Sequence, residues 1–284
     1  MKLIFKLAGW LIVAFVFSSC GNKDLKKEKQ VAGDTAYPEI LALNKKIEAD
    51  RNNSELYYQR AKARFFHRDF QNAIADMQIV LKIDSTKSAY YIFLSDLYLT
   101  QNKSKDTRQM LRKAIAVDSS NSEALMKYSE LFYLMRKYDT AIFYVNRSLH
   151  FDRNNPLAHF QRGLILKEWG DTAKAIASFQ LAVELNQKYF EAYMQLGIIN
   201  TAIKNPLALE YFNTALSLDP KSVEARYAKG FYLQSAGELP KALEEYKAIL
   251  DIYPDHKDAR YNTGAILHEQ KKYAEAIQQF ETIL

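Results

Sequence analysis

Apolar and polar positions alternate along this chain with the period of helices, and the helices themselves recur. Between Pro156 and Leu185 one helical hairpin is written almost completely: Gly163 stands where two helices must approach closely, Ala175 follows twelve residues later, Phe179 four further on and Ala182 three beyond that. The same set returns in both directions at steps of thirty-four residues. A period of that size marks a stacked array in which each hairpin needs its neighbours to bury its apolar face. The predicted helices are about thirteen residues long, marginal alone in water, so stacking must stabilise them.

Seven hairpins are predicted, over 54–87, 88–121, 122–155, 156–189, 190–222, 223–256 and 257–284. Ahead of them, Ile40, Leu43 and Ile47 fall on one face of a single helix, read as a cap over 38–53. Asn155 followed by Pro156 suits an N-cap and a first helical position. The fifth unit lacks one residue around Asn205 and Pro206, so Pro206 fits only at the start of a second helix. Thr107 replaces the usual Ala of the second unit, where looser packing is expected.

The first residues break the period. Lys2 and Lys6 precede an apolar run from Leu7 to Phe17, then Ser18, Ser19 and Cys20. A basic head, a short apolar stretch and small residues describe an export signal over 1–19. The sequence Phe17-Ser18-Ser19-Cys20 resembles the lipobox of bacterial lipoproteins, with Phe17 where that family prefers Leu. The resemblance implies cleavage before Cys20, acylation of its thiol, a lipid-anchored protein of a Bacteroidota-like bacterial envelope, and an outer-membrane position facing the periplasm. Residues 20–37 read as a polar, flexible tether.

Composition then narrows the chemistry. The formal charge of +6 falls to +4 once Lys2 and Lys6 are removed with the signal. Charges alternate in sign along the helices, as in KKIEADR, which speaks for a solvated surface and against nucleic acid. Cys20 is the sole cysteine, so intramolecular disulfides and thiolate zinc clusters are excluded. The five histidines show no metal-ligand spacing, no catalytic set stands out, and neither metal nor cofactor is expected.

The small, Tyr, Ala, aromatic and Pro places over 54–284 resemble the tetratricopeptide repeat. That resemblance implies a right-handed superhelical solenoid of helix-turn-helix hairpins with a concave groove lined by first helices. It also implies a non-enzymatic scaffold that binds an extended or helical segment of another protein. At the fifth place of each first helix, Tyr58, Ile92, Met126, Phe160, Met194, Tyr227 and Tyr261 are all large and substantially apolar, and the family places this column toward the groove. The alternative is that they wedge neighbouring repeats together. At the twelfth place Phe65, Leu99 and Tyr133 are apolar in the early units; at the ninth, Leu164, Ile198 and Phe231 are apolar in the later ones. The track therefore crosses at the fourth repeat, and polar substitution of Tyr133 and Phe160 is expected to abolish capture without loss of helicity. A Lys and Asn pair for a C-terminal carboxylate is absent from the fifth and ninth places.

Glu55, Glu123, Glu191, Glu224 and Asp258 recur at the second place, either as an acidic stripe in the groove or as first-turn acids that complement the helix dipole. Ile266, Ile277 and Ile283 are expected to leave an exposed edge in the last unit, suited to end-on self-association or to docking of a partner's helix. Rival readings are a non-catalytic targeting subunit of an envelope enzyme and a carrier of an apolar small ligand.

Overall fold

The structure is a computed structural model that describes residues 37–283. The expected signal over 1–19, Cys20 and the tether up to residue 36 lie outside the described residues. Those described form fifteen α-helices and no strand, an all-α repeat fold. None of these helices is long and apolar enough to cross a membrane. They group into two compact units, divided between Ile83 and Asp84.

The first unit holds α1 (Pro38–Ala49), α2 (Ser54–Phe66) and α3 (Phe70–Ile83). Ile40, Leu43 and Ile47 are buried, as the helical spacing of α1 predicts. Beside that apolar stripe sits a buried charge cluster. Asp76 on α3 is 1% exposed, and its two oxygens accept from Arg60 Nη2 at 2.6 Å, Arg60 Nε at 3.0 Å and Arg64 Nη1 at 2.8 Å. Arg60 Nη1 also donates to Asn44 Oδ1 at 2.7 Å, which ties α1 to α2. At the edge of the unit His67 bonds Glu39 Oε1 at 2.5 Å, holding that carboxyl below its ordinary range.

The second unit stacks six hairpins: α4 (Ser88–Thr100) with α5 (Ser104–Val117), α6 (Ser122–Leu134) with α7 (Tyr138–Phe151), and α8 (Pro156–Trp169) with α9 (Thr172–Leu185). Then come α10 (Phe190–Ala202) with α11 (Leu207–Leu218), α12 (Val223–Ser235) with α13 (Leu239–Ile252), and α14 (Lys257–Glu269) with α15 (Tyr273–Glu281). From α4 to α15, consecutive helices of this unit pack against each other. Asn155 Oδ1 accepts from Ala158 N at 3.1 Å, and Pro156 begins α8, so that helix starts where its cap and proline place it. Pro206 takes the cap place one residue before α11, with helical backbone angles. Glu123, Glu191, Glu224 and Asp258 stand in first turns, where they meet the positive end of the dipole.

Within the hairpins, the small place and the aromatic place are matched in volume. A Cβ built on Gly163 would lie 2.6 Å from the Phe179 ring; on Gly197 it would meet Phe212 at 2.4 Å, on Gly230 Tyr246 at 2.8 Å, and on Gly264 Phe280 at 2.7 Å. Where the small place carries a side chain, the partner place is smaller: Ser95 goes with Leu111 and Ser129 with Val145. Ser129 Oγ donates to Ala141 O at 2.7 Å, so the hydroxyl is satisfied by the facing helix. Phe179 and Phe212 are almost fully buried, a burial worth roughly 1.5–3 kcal/mol for each ring. Thr107 is buried and its hydroxyl donates to Lys103 O at 3.0 Å, so the looser packing expected there is not seen; beside it lies a pocket of about 30 Å³. It has room for a water rather than an apolar ligand.

Each hairpin of this unit turns through one left-handed residue: Asn102, Arg136, Gly170, Lys204, Gly237 and Lys271, with φ between 56° and 95°. Glycine takes that conformation freely, as at Gly170. For an arginine or lysine it costs roughly 1–2 kcal/mol. The turn after α6 closes with Arg136 N–H donating to Tyr133 O at 2.8 Å and Lys137 N–H to Phe132 O at 2.9 Å.

Ile266 corrects one expectation. It is fully buried on the inner face of α14, in a core with Tyr246, Ile249 and Ala259. Ile277 is exposed and Ile283 half-buried, so the three do not form one open edge.

Candidate protein-binding groove

In the second unit the first helices form a layer of their own, linked from repeat to repeat by side chains. Lys127 Nζ on α6 reaches both oxygens of Asp96 on α4, at 2.9 and 3.1 Å. Gln161 on α8 donates to Met126 O on α6 at 3.1 Å, and Lys167 Nζ to Gln195 Oε1 on α10 at 2.8 Å. Farther along, Asn262 Nδ2 on α14 donates to the Tyr227 hydroxyl on α12 at 3.1 Å and to the Tyr246 hydroxyl at 3.2 Å.

The fifth-place column is divided by the packing. Ile92, Phe160 and Met194 are only 4%, 3% and 2% exposed, so the expectation that they line an open floor does not hold. Phe160 lies between Phe179 and Tyr189, with ring centroids 5.5 and 4.9 Å away. Phe160 and Met194 pack into cores shared with the following repeat, Phe160 with Ala192 and Leu196 and Met194 with Ala225. The expectation that a polar residue at 160 would spare the fold falls with it. Met126 is half-buried against the core around Tyr128 and Val145. Tyr227 is half-buried over His256, and Tyr261 is largely exposed.

The ninth and twelfth places are more open. Leu99 and Phe231 are exposed, while Tyr133, Leu164 and Ile198 are half-buried. In the first unit Tyr58 and Phe65 are half-buried, with Lys62 Nζ 4.4 Å above the Tyr58 ring and Phe70 5.6 Å from Phe65.

Interleaved with these apolar side chains are charges that the apolar reading passed over. Glu130 is exposed as a residue, and its carboxyl is partly desolvated beside Lys127 and Asp96. Burial pushes it above its usual range, Lys127 pulls it back, and Asp96 adds to the rise. Lys167 is held below the usual amine range by burial, with Glu168 opposing. Tyr133 is pushed up by burial and by the charge of Glu168. A signal for these charges existed: Asp96, Glu130 and Lys167 occupy the same two columns in which the apolar track changes sides. Partly desolvated charges beside open apolar positions suit an extended or helical polypeptide, whose polar groups replace the missing water while its side chains fill the apolar places. Among the described residues no group of three or more metal-ligating side chains converges.

His159 lies behind this layer. Its Nε2–H donates to Arg153 O at 2.8 Å and its Nδ1 accepts from Arg162 Nη2 at 3.2 Å, an arrangement that requires the neutral ring. Burial, more than the Arg162 charge, lowers its pKa from 6.5. Between the lowered folded value and 6.5 the unfolded chain binds more protons, so the stability His159 contributes is fully present above pH 6.5 and is lost as pH falls through the folded value. Denaturant midpoints measured at several pH values should show this slope, and His159→Gln should flatten it.

The comparisons agree with this architecture. The tetratricopeptide repeat matches residues 157–189, 204–255 and 227–284. The human protein O-mannosyl-transferase TMTC1 is 24% identical over 191 residues, 66% of this chain and 21% of that protein. The Bos taurus BBSome complex member BBS4 is 26% identical over 143 residues, 48% of this chain and 26% of that protein. The chain thus spans a fifth to a quarter of the length of these relatives.

Among solved structures, the C-terminal part of a TPR repeat-containing protein from Cytophaga hutchinsonii superposes with a TM-score of 0.65 at 20% identity, covering 84% of this chain and 98% of that one. Pseudomonas aeruginosa pilF gives 0.64 at 16%, covering 76% and 97%. YrrB, described as a TPR protein with an unusual peptide-binding site, gives 0.53 at 22%, covering 66% and 97%. These likenesses establish the fold. The chain carries tetratricopeptide repeats over the matched residues, within an all-α helical repeat fold.

Proposed function

We infer that the layer of first helices between α4 and α12 captures a segment of another protein, and that the chain is an interaction scaffold held at a bacterial envelope membrane by acylated Cys20. The observation that carries the capture reading is the run of partly desolvated charges, Asp96, Lys127, Glu130 and Lys167, beside the open apolar Leu99, Tyr133, Leu164 and Phe231. A segment crossing obliquely meets Tyr133 and Leu99 at one end and Leu164, Ile198 and Phe231 at the other. The anchor reading rests on the lipobox-like residues before Cys20, and the outer membrane facing the periplasm is its proposed place. The proposed role there is to position a partner in assembly or secretion.

A photo-crosslinking residue at Tyr133 of the intact chain, in the native cell, should yield one discrete protein adduct. The same probe at the exposed Phe143 on α7, a second helix, should not. Leu164→Asp should cut the Tyr133 adduct roughly tenfold, the scale of one lost apolar anchor. Equal adducts from both probes, or no dependence on Leu164, count against the groove. In the same cells a palmitate label should enter the chain and be absent from Cys20→Ala; labelling that survives the substitution removes the anchor.

A further inference from the structure

We propose that the hairpin-turn edge of the second unit docks on an anionic lipid surface, with Trp169, Met135 and Ile203 entering the headgroup layer. Met135, Trp169 and Ile203 are spaced by thirty-four residues and hold the same place at the ends of α6, α8 and α10. They are 43%, 53% and 49% exposed, a row of large apolar tips at one edge of the stacked hairpins. The next residue in each turn is the left-handed one, and in two of these three turns it is basic: Arg136 and Lys204, both exposed.

Charge on this edge is strongly one-sided. Across its six turns the bases are Lys103, Arg136, Lys137, Lys204, Lys271 and Lys272. The acids are Asp171 and Glu238, and each is already paired with a lysine of the following helix, Lys174 at 2.7 Å and Lys241 at 2.9 Å. Glycine or asparagine would take the left-handed position with less strain, as Gly170, Gly237 and Asn102 do. Arginine and lysine there keep a strained backbone for a side chain that makes no core contact.

Aromatic and aliphatic tips set among lysines and arginines are the composition of a surface that lies in a membrane interface. The tips leave water for the acyl boundary, and the bases pair with lipid phosphates. The apolar row also decides between anionic partners. A nucleic acid neutralises the bases but offers nothing to cover Met135 and Ile203, whereas a lipid surface covers both. This docking is independent of the groove and of any anchor, since it uses a different edge of the hairpins.

Trp169 reports directly. The chain has two tryptophans, Trp10 and Trp169, and Trp10 lies in the signal read as removed. Trp10→Phe in any uncleaved protein likewise leaves Trp169 as the one tryptophan, read with excitation that spares tyrosine. Reconstituted into vesicles containing phosphatidylglycerol and a lipid brominated near its ester end, Trp169 should shift to the blue and lose intensity. In pure phosphatidylcholine with the same brominated lipid it should do neither, and high salt should reverse the effect. Any tether is common to both vesicles, so their difference isolates the edge. The Arg136→Glu, Lys137→Glu, Lys204→Glu variant should lose the shift. If circular dichroism finds that variant unfolded, the salt titration of the unaltered turns decides. Emission that is identical in both vesicles overturns the proposal, as does a shift produced only by an oligonucleotide or an acidic peptide.

Discussion

Replacing Asp76 by alanine should destabilise the first unit by about 3–5 kcal/mol, the scale found when one partner is removed from a buried ion pair. Both carboxylate oxygens are engaged by Arg60 and Arg64, and Asp76 and Arg64 are both buried. Without the carboxylate, Arg64 retains its charge in a buried site that has lost its ion pair with Asp76. Hydrogen exchange should show the loss in the amides of α2 and α3. Replacing the cluster as a whole, Arg60→Met, Arg64→Met and Asp76→Leu, should recover much of it, because no charge is then left to desolvate. A loss under about 1 kcal/mol for Asp76→Ala means water reaches the guanidinium, and the cluster is then a surface pair in energetic terms.

Gly197→Ala should cost about 1–3 kcal/mol even though alanine is the better helix former by about 1 kcal/mol. The added methyl would stand 2.4 Å from the Phe212 ring, which is 1% exposed and has no space to retreat into. The double variant Gly197→Ser, Phe212→Leu reproduces the pair that the second repeat carries at Ser95 and Leu111. Its cost should be smaller than the sum of the two single changes, and a denaturant double-mutant cycle measures the difference. Simple additivity would mean that the two places do not share a volume.

These predictions fall at opposite ends of what could be read beforehand. Gly197 and Phe212 recur at fixed places of a fixed period, so their partnership is written in the spacing, although the distance is not. Arg60, Arg64 and Asp76 look like any alternating helical charges. Only the docking of α3 on α2 turns Asp76 inward. The groove shows the same division: the columns were legible, but the exposure of each member was not. Phe160 and Leu164 lie four residues apart on one helix, and the first is sealed between two aromatic rings while the second stays partly open.

The sequence by itself determined the repeat, the hairpin boundaries, the Asn155 and Pro156 start of α8 and the lipobox-like residues at Cys20. All of these depend on residues near one another along the chain, or on a period that local geometry enforces. The tertiary structure decided which large side chains became wedges, which charges lost their water, and that the basic residues of the turns share an edge with Trp169. A helix turns about 100° per residue, so a side chain at the border between two faces is buried or open according to a small rotation of its neighbour. That rotation is set by how the helices pack, where a glycine meets an aromatic ring, and no single position along the chain contains it.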